Sequence, residues 1–333
     1  MRFATCTKPP KEKTGKKIAI IGAGPGGLTV AGGLICKGYD VDVYDMLPEP
    51  GGMLIFGIPD IRMPKDRIIE GIRELEKLGV NFICGKKVGE DIDFGEILEK
   101  YDAVVIATGA WEDIKLGLPG EESQGVYHAL DFLVTVARIN RGYLPREKMP
   151  EVGKKVVVIG GGNTAIDVSL VTRSMGSDVT IVYRRTREYM PAKPHEIKMA
   201  EQRGVKFMFL LSPKEVIVDN GGKVRGIVCE KMKLGEPDAS RRPRPVPTGE
   251  TITIECDTVI FAIGEIATPP FKDPEKYGIK VDRKNRIIVD ENYMTTRRGV
   301  FAIGDVVTGP KDIPSAIKAA KKVVEVIHEY LSQ

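Results

Sequence analysis

The sequence predicts an α/β fold made of two Rossmann-like domains, the second inserted into the first. Three observations carry this expectation. Two glycine fingerprints lie about one domain apart, each fed by an apolar run; two later apolar runs end in matching small-residue turns; and a strand, an exposed acid and a helix close the chain.

The first unit opens with Lys17-Ile18-Ala19-Ile20-Ile21, which runs directly into Gly22-Ala23-Gly24-Pro25-Gly26-Gly27-Leu28, the G-x-G-x-x-G form. In a βαβ unit the first glycine makes the tight turn, the second lets a pyrophosphate approach the backbone, and the third lets helix and strand pack closely. A helix is predicted from Leu28 to Lys37, and the next strand, Val41-Asp42-Val43-Tyr44, ends in Asp45. Pro48 to Pro59 is too rich in Pro and Gly for helix or strand. From Lys65 to Leu78 the spacing of Ile68, Ile69, Ile72, Leu75 and Leu78 predicts a helix with one apolar face. Tyr101 to Ala110 reads as a buried strand ending in the turn Ala107-Thr108-Gly109.

The second unit repeats this order. Val156-Val157-Val158-Ile159 enters Gly160-Gly161-Gly162-Asn163-Thr164-Ala165, the G-x-G-x-x-A form, followed by a helix to Met175 and a strand, Val179 to Tyr183, that ends in Arg184-Arg185. A helix from Pro194 to Arg203 and strands around Phe207 to Leu211, Val216 to Val218 and Val224 to Lys231 come next. The polar, proline-rich stretch Gly235 to Gly249 is predicted to be an exposed loop between two hairpin strands. Asp257 to Glu265 echoes Val104 to Gly109, with Gly264 at the turn, and Gly299 to Val307, holding Gly304 and Asp305, precedes a helix from Ser315 to Leu331. The domains are expected at 1–115 with 288–333, and at 116–287. Trp111 to Glu121 and Pro270 to Asp290 would be the crossings and a hinge.

The two fingerprints differ in charge where it matters. An acid at the end of the second strand accepts hydrogen bonds from ribose hydroxyls and repels a 2′-phosphate, whereas arginine pairs with that phosphate. Asp45 therefore points to FAD or NAD in the first unit, and Arg184 with Arg185 to NADP in the second. A chain holding two dinucleotides is expected to pass a hydride between them, as a flavoprotein oxidoreductase. Hydride transfer needs stacking and distance control more than an acid or base, and His128, His195 and His328 are too scattered to form a site, so no catalytic side chain is expected.

Composition narrows the classes further. The chain is 42% apolar, but no apolar run approaches the roughly 20 residues of a membrane span. A cytoplasmic protein without a membrane partner is expected. The net charge of +4 is spread along the chain, which argues against nucleic acid. Five cysteines (Cys6, Cys36, Cys84, Cys229, Cys256) show no C-x-x-C and no metal or cluster spacing. They are expected unpaired, with Cys36 and Cys256 as small core residues and Cys6 in a disordered tail.

Taken together, Gly22 to Leu28, Gly57-Ile58-Pro59, Gly160 to Asp167, Tyr183-Arg184-Arg185, Met190-Pro191-Ala192 with Glu196, and Gly304-Asp305-Val306 resemble the small subunit of NADPH-dependent glutamate synthase. The flavin subunits of NADH-dependent ferredoxin:NADP oxidoreductases and the corresponding region of dihydropyrimidine dehydrogenase share that pattern. The resemblance implies that Gly22, Gly24, Pro25, Gly26 and Gly27 hold the FAD pyrophosphate and Asp45 its ribose. Gly52, Met53, Leu54, Gly57 and Ile58 would line the flavin, with Ala107, Thr108 and Gly109 beside it. Asp305 after Gly304 would take the ribityl and phosphate side. Ser315, Ala316 and Ile317 would offer N–H groups to the flavin ring. Gly161, Gly162, Asn163, Thr164, Asp167 and Gly264 would surround NADPH, Arg184 and Arg185 its 2′-phosphate, and Glu196 its nicotinamide end.

Two departures from the family stand out. Relatives of the glutamate synthase type carry an N-terminal cysteine-rich domain with two [4Fe-4S] clusters, whereas a short tail precedes the first strand here, so another polypeptide would supply the iron-sulfur relay in a hetero-oligomer. Leu170 stands where relatives usually place Arg. Three other readings compete with an electron-input subunit: a free-standing ferredoxin:NADP reductase, a non-catalytic nucleotide-binding subunit, and a thioredoxin-reductase-like enzyme, the last disfavoured by the missing C-x-x-C.

Overall fold

A computed structural model describes residues 1–238 and 241–333. The chain divides into two compact units, Met1–Glu112 with Glu265–Gln333, and Asp113–Gly264. The first runs β1 (Lys17–Ile21), α1 (Pro25–Cys36), β2 (Asp40–Asp45), α2 (Met53–Phe56), α3 (Asp66–Leu78), β3 (Asn81–Cys84), α4 (Phe94–Lys100), β4 (Ala103–Ile106) and β5 (Ala110–Asp113), whose last residue opens the second unit. There follow β6 (Val126–His128), α5 (Ala129–Asn140), β7 (Lys155–Ile159), α6 (Asn163–Ser174), β8 (Asp178–Tyr183), α7 (Pro194–Gln202), β9 (Lys206–Phe209), β10 (Leu211–Val218), β11 (Val224–Pro237), β12 (Pro243–Glu255) and β13 (Thr258–Phe261). The first unit resumes with β14 (Glu265–Ala267), β15 (Val300–Ala302), α8 (Asp305–Thr308) and α9 (Ile313–Ser332).

Each unit contains one five-stranded parallel sheet, in the orders β15-β4-β1-β2-β3 and β6-β13-β7-β8-β9. Parallel strands are covered on both faces and so read as unbroken apolar runs; Ile18, Ala19 and Ile20 of β1 are wholly buried. In both sheets the strand that feeds a glycine loop is central, with its successor on one side and a later strand on the other. The order of connection reverses there, which opens a crevice at the strand ends. The same contact shapes both turns. A Cβ on Gly22 would stand 2.2 Å from the Ala107 carbonyl oxygen, and one on Gly160 2.1 Å from that of Ala262. Both residues also have positive φ, which glycine adopts at little cost.

Four expectations are corrected. The second crossing lies at Gly264/Glu265 and not near residue 288, because residues 265–287 pack into the first unit: Phe271 and Tyr277 place their rings 5.3 and 5.0 Å from that of Phe94, among Ile279 and Ile287. Most of Gly235 to Gly249 is strand, with Lys233 opposite Val246 and Leu234 opposite Pro245. The prolines are tolerated because β12 is the edge of a three-stranded antiparallel sheet, β10-β11-β12. The N-terminal tail is packed, with Phe3 and Ala4 buried and Cys6 joined to Cys36 in a disulfide. A separation of 30 residues carries no spacing signal, so the sequence does not announce the pairing. Finally, α9 starts at Ile313, two residues early, because Asp312 caps it by accepting from the Ser315 N–H at 3.0 Å.

Candidate functional site

In the first unit β1 delivers the glycine loop to the N-terminus of α1, with Gly24 as N-cap and Pro25 at the first helical position, where its missing N–H costs nothing. The glycines divide by what surrounds them. A Cβ on Gly27 would meet the Gly22 carbonyl oxygen at 1.9 Å, and one on Gly26 would meet Ile303 at 3.2 Å, whereas one on Gly24 would meet nothing within 4 Å. Gly24 thus faces open space in front of a helix N-terminus, a place suited to an anion. Asp45, at the end of β2, is buried and accepts from the Ala23 N–H at 2.6 Å and the Leu47 N–H at 2.8 Å. Burial pushes its carboxyl up to about 6 in spite of those two bonds.

A cleft of about 620 Å³ opens beside this acid, lined by Gly22, Asp45, Thr108, Trp111, Lys87 and Phe271 among others. Thr108 Oγ1 is buried without a hydrogen-bond partner among the described residues, so the cleft presents an unused polar atom. The turn that carries it is stapled twice: Trp111 Nε1 donates to the Thr108 carbonyl at 2.6 Å, and the Thr268 N–H donates to that of Gly109 at 3.1 Å.

The Pro/Gly segment folds back onto the loop. Gly51 N–H donates to the Ala23 carbonyl at 2.9 Å, and a Cβ on Gly52 would lie 2.8 Å from Gly24 Cα. Met53 and Leu54 then open α2, and Gly57 packs against Met53. The Ile58 carbonyl accepts from Lys65 Nζ at 2.6 Å, a buried ammonium that the sequence reading passed over. On the returning segment Gly304 caps α8, and Asp305 Oδ1 accepts from the Lys311 N–H at 3.0 Å, its carboxyl raised to about 6 by burial. The N–H groups expected to serve the flavin are partly committed: Ser315 N–H to the Asp312 carboxylate and Ala316 N–H to the Asp312 carbonyl at 3.4 Å, with Ile317 inside the helix behind them.

The second unit is built to the same plan. Gly160 N–H donates to the Val182 carbonyl at 3.0 Å as Gly22 N–H does to Tyr44 at 2.7 Å, and Ala192 N–H folds back to Gly161 at 3.1 Å as Gly51 does to Ala23. A Cβ on Gly162, the N-cap of α6, would again meet nothing within 4 Å. The adjacent Asn163 Oδ1 is buried without a hydrogen-bond partner among the described residues. Thr164 follows it in the first turn, and Asp167 is buried one turn on.

The arginine pair is parted. Arg184 is exposed and directly follows β8, one residue beyond Tyr183, which holds on β8 the position that Asp45 holds on β2. Arg185 is 2% exposed; its Nε donates to the Pro243 carbonyl at 2.7 Å and its Nη2 to Asp238 Oδ2 at 2.6 Å. The expectation of two arginines on one phosphate therefore fails for Arg185, whose donors are taken by the β11–β12 hairpin. Glu196 is buried near the start of α7, where its carboxylate accepts from the Lys193 N–H at 3.2 Å, a capping contact. The Gly264 carbonyl accepts from the Ile114 N–H at 3.0 Å at the crossing. Sequence reasoning missed Lys65, Trp111 and Thr268. The one tryptophan, placed just after a strand-end turn, was the available signal for the second of these.

Comparison with known proteins agrees with this double plan. A family model described as pyridine nucleotide-disulphide oxidoreductase matches residues 16–320. The chain is 37% identical to the NADPH-Fe(3+) oxidoreductase subunit beta of Geobacter sulfurreducens, over 100% of this chain and 52% of that one. It is 36% identical to the NADPH glutamate synthase small chain of Escherichia coli, over 96% and 70% respectively. It thus spans about half the length of the first of these relatives. Among solved structures, Mycobacterium tuberculosis FprA in complex with NADPH superposes with a TM-score of 0.79 at 24% identity, covering 95% of this chain and 85% of that one, a likeness of fold.

Proposed function

The chain belongs to the pyridine nucleotide-disulphide oxidoreductase family, and from that premise we propose that it is an FAD-dependent NADPH oxidoreductase acting as the electron-input subunit of a larger enzyme. The observation that carries this reading is the reversal of charge at the two strand ends: Asp45 is the last residue of β2 in one unit, and Arg184 directly follows β8 in the other, one residue beyond the counterpart of Asp45. The carboxylate suits the ribose of FAD and repels a 2′-phosphate; the guanidinium suits NADPH.

Residues on each side fit these groups. Gly24 and Gly162 leave space for a pyrophosphate at a helix N-terminus, and Thr108 Oγ1 and Asn163 Oδ1 are buried polar atoms awaiting partners. Gly22 and Gly27 shape the first loop, Gly52 backs Gly24, and Lys65 fixes the Ile58 carbonyl so that the Gly57-Ile58-Pro59 segment keeps its course beside α2. When bound, the two cofactors would supply hydride transfer from nicotinamide to flavin, and the flavin would let the electron pair leave one electron at a time. The chain's contribution is to bind, orient and exclude water, and no side chain is asked to carry a proton. Two relatives bear the names of subunits or small chains, which supports a hetero-oligomer, and an iron-sulfur protein is the acceptor suited to one-electron delivery.

The test is anaerobic mixing of the FAD-loaded protein with NADPH or NADH while the flavin absorbance is followed. Rapid bleaching by NADPH, with Arg184→Ala losing about tenfold or more of the preference over NADH, is expected from the loss of a charge-assisted contact. An unchanged preference in that variant would remove Arg184 from the phosphate.

A further inference from the structure

The stretch between Gly235 and Gly249 carries no function in the sequence, and the structure places Glu236 to Asp238 and Arg244 to Val246 beside the arginines that follow β8. Arg185 makes the connection. Its guanidinium holds the Asp238 carboxylate and the Pro243 carbonyl together, which fixes the residue that follows β11 and the first of β12 against the segment that follows β8. The residue after Pro243 is Arg244, exposed, and it lines with Arg184 a cleft of about 560 Å³. We propose that Arg244 is a second ligand of the NADPH 2′-phosphate, positioned by the Arg185–Asp238 pair, an inference that rests on the second unit being the NADPH site.

Several considerations support it. A phosphate monoester carries close to two charges at neutral pH and offers three acceptor oxygens. Arg185 is committed elsewhere, so Arg184 alone would under-serve that charge. Among the described residues neither Arg184 nor Arg244 makes a hydrogen bond or an ion pair, unlike Arg185. The charge around the cleft also favours an anion: three guanidinium groups, Arg184, Arg185 and Arg244, line it against two carboxylates, Glu236 and Asp238, and Arg242 adds a further positive charge near Arg184. Finally, Arg244 stands between Pro243 and Pro245, whose fixed φ angles hold the base of its side chain in place and reduce the ordering cost of binding.

Binding of 2′,5′-ADP and of 5′-ADP to the full-length protein, measured by calorimetry, tests this. Arg244→Ala is expected to weaken 2′,5′-ADP about tenfold or more and to leave 5′-ADP unchanged, with Arg244→Lys recovering part of the loss. Asp238→Asn should reduce the same ratio, a readout that general destabilisation would not move. If Arg244→Ala leaves 2′,5′-ADP unchanged while Arg184→Ala weakens it, the inference is overturned and the NADPH site stands. Equal weakening of both ligands by Arg244→Ala also overturns it. If the unsubstituted protein does not distinguish the two ligands, both the inference and the NADPH reading fall.

Discussion

Asp45 combines two functions that pull its chemistry in opposite directions. Its carboxylate clamps the glycine loop through Ala23 and Leu47, while burial drives the carboxyl up to about 6 from an ordinary 3.8. Because the folded-state value is raised, the contribution to stability is fully present below about 3.8 and is lost as pH rises through about 6. The ionised group at neutral pH costs roughly 3 kcal/mol on this scale. Ribose hydroxyls donating to the carboxylate would reverse that preference, so FAD affinity is expected to fall as pH drops from 8 to 5, with Asp45→Asn flattening the profile. Asp305, also raised to about 6, titrates in the same window, and Asp305→Asn separates its share. The glycines give a prediction without titration. Gly24 has φ −76° and open space where a Cβ would stand, so Gly24→Ala should fold with an unchanged melting temperature yet retain little FAD, read from the flavin absorbance per protein. Gly27→Ala, which drives a methyl to 1.9 Å from a carbonyl oxygen, should fail to fold. A Gly24→Ala variant that kept its full flavin would show that the loop does not meet the pyrophosphate.

At the scale of elements, legibility followed the range of the signal. β1 with its glycine loop, β7 with its own, the acid that ends β2 and the arginine that follows β8 were readable because turn, strand and charge sit within one local run. The hairpin was misread because its prolines argue against strand, and only the sheet shows that β12 lies at an edge where a missing N–H is tolerated. The fate of Arg185 was unreadable for a related reason: its partners, Asp238 and Pro243, are more than fifty residues away. The disulfide had the same character. Cys6 and Cys36 meet because Phe3 and Ala4 bury themselves against α1, where a Cβ on Gly32 would touch the Phe3 carbonyl at 2.3 Å. In the chain-entropy account a loop of that length stabilises by roughly 3 to 4 kcal/mol. The tail is therefore part of the first unit.

For the whole molecule, the division into units has a consequence that neither unit shows alone. Residues 113–264 form a body whose two ends meet, since Ile114 N–H donates to the Gly264 carbonyl at 3.0 Å. Insertion into a loop is tolerated when the inserted domain has adjacent ends and its own core, because the host then loses little loop entropy. Both conditions hold, with Val158, Ile166, Ile181 and Ile260 in one buried cluster of the inserted unit and Ile227, Val259 and Phe261 in another. Excised as residues 113–264, the unit is expected to unfold in one cooperative transition and to keep its preference for 2′,5′-ADP over 5′-ADP. The remainder, with 112 joined to 265 by a short Gly-Ser linker, should keep FAD but no longer bleach with NADPH. Its core needs the returning segment, since Phe271, Tyr277 and Ile279 pack on Phe94, so a version cut at 288 instead of 265 should lose that core and its FAD. If the two versions hold FAD equally, residues 265–287 are dispensable to the flavin unit, and its boundary lies near 288, as the sequence alone suggests.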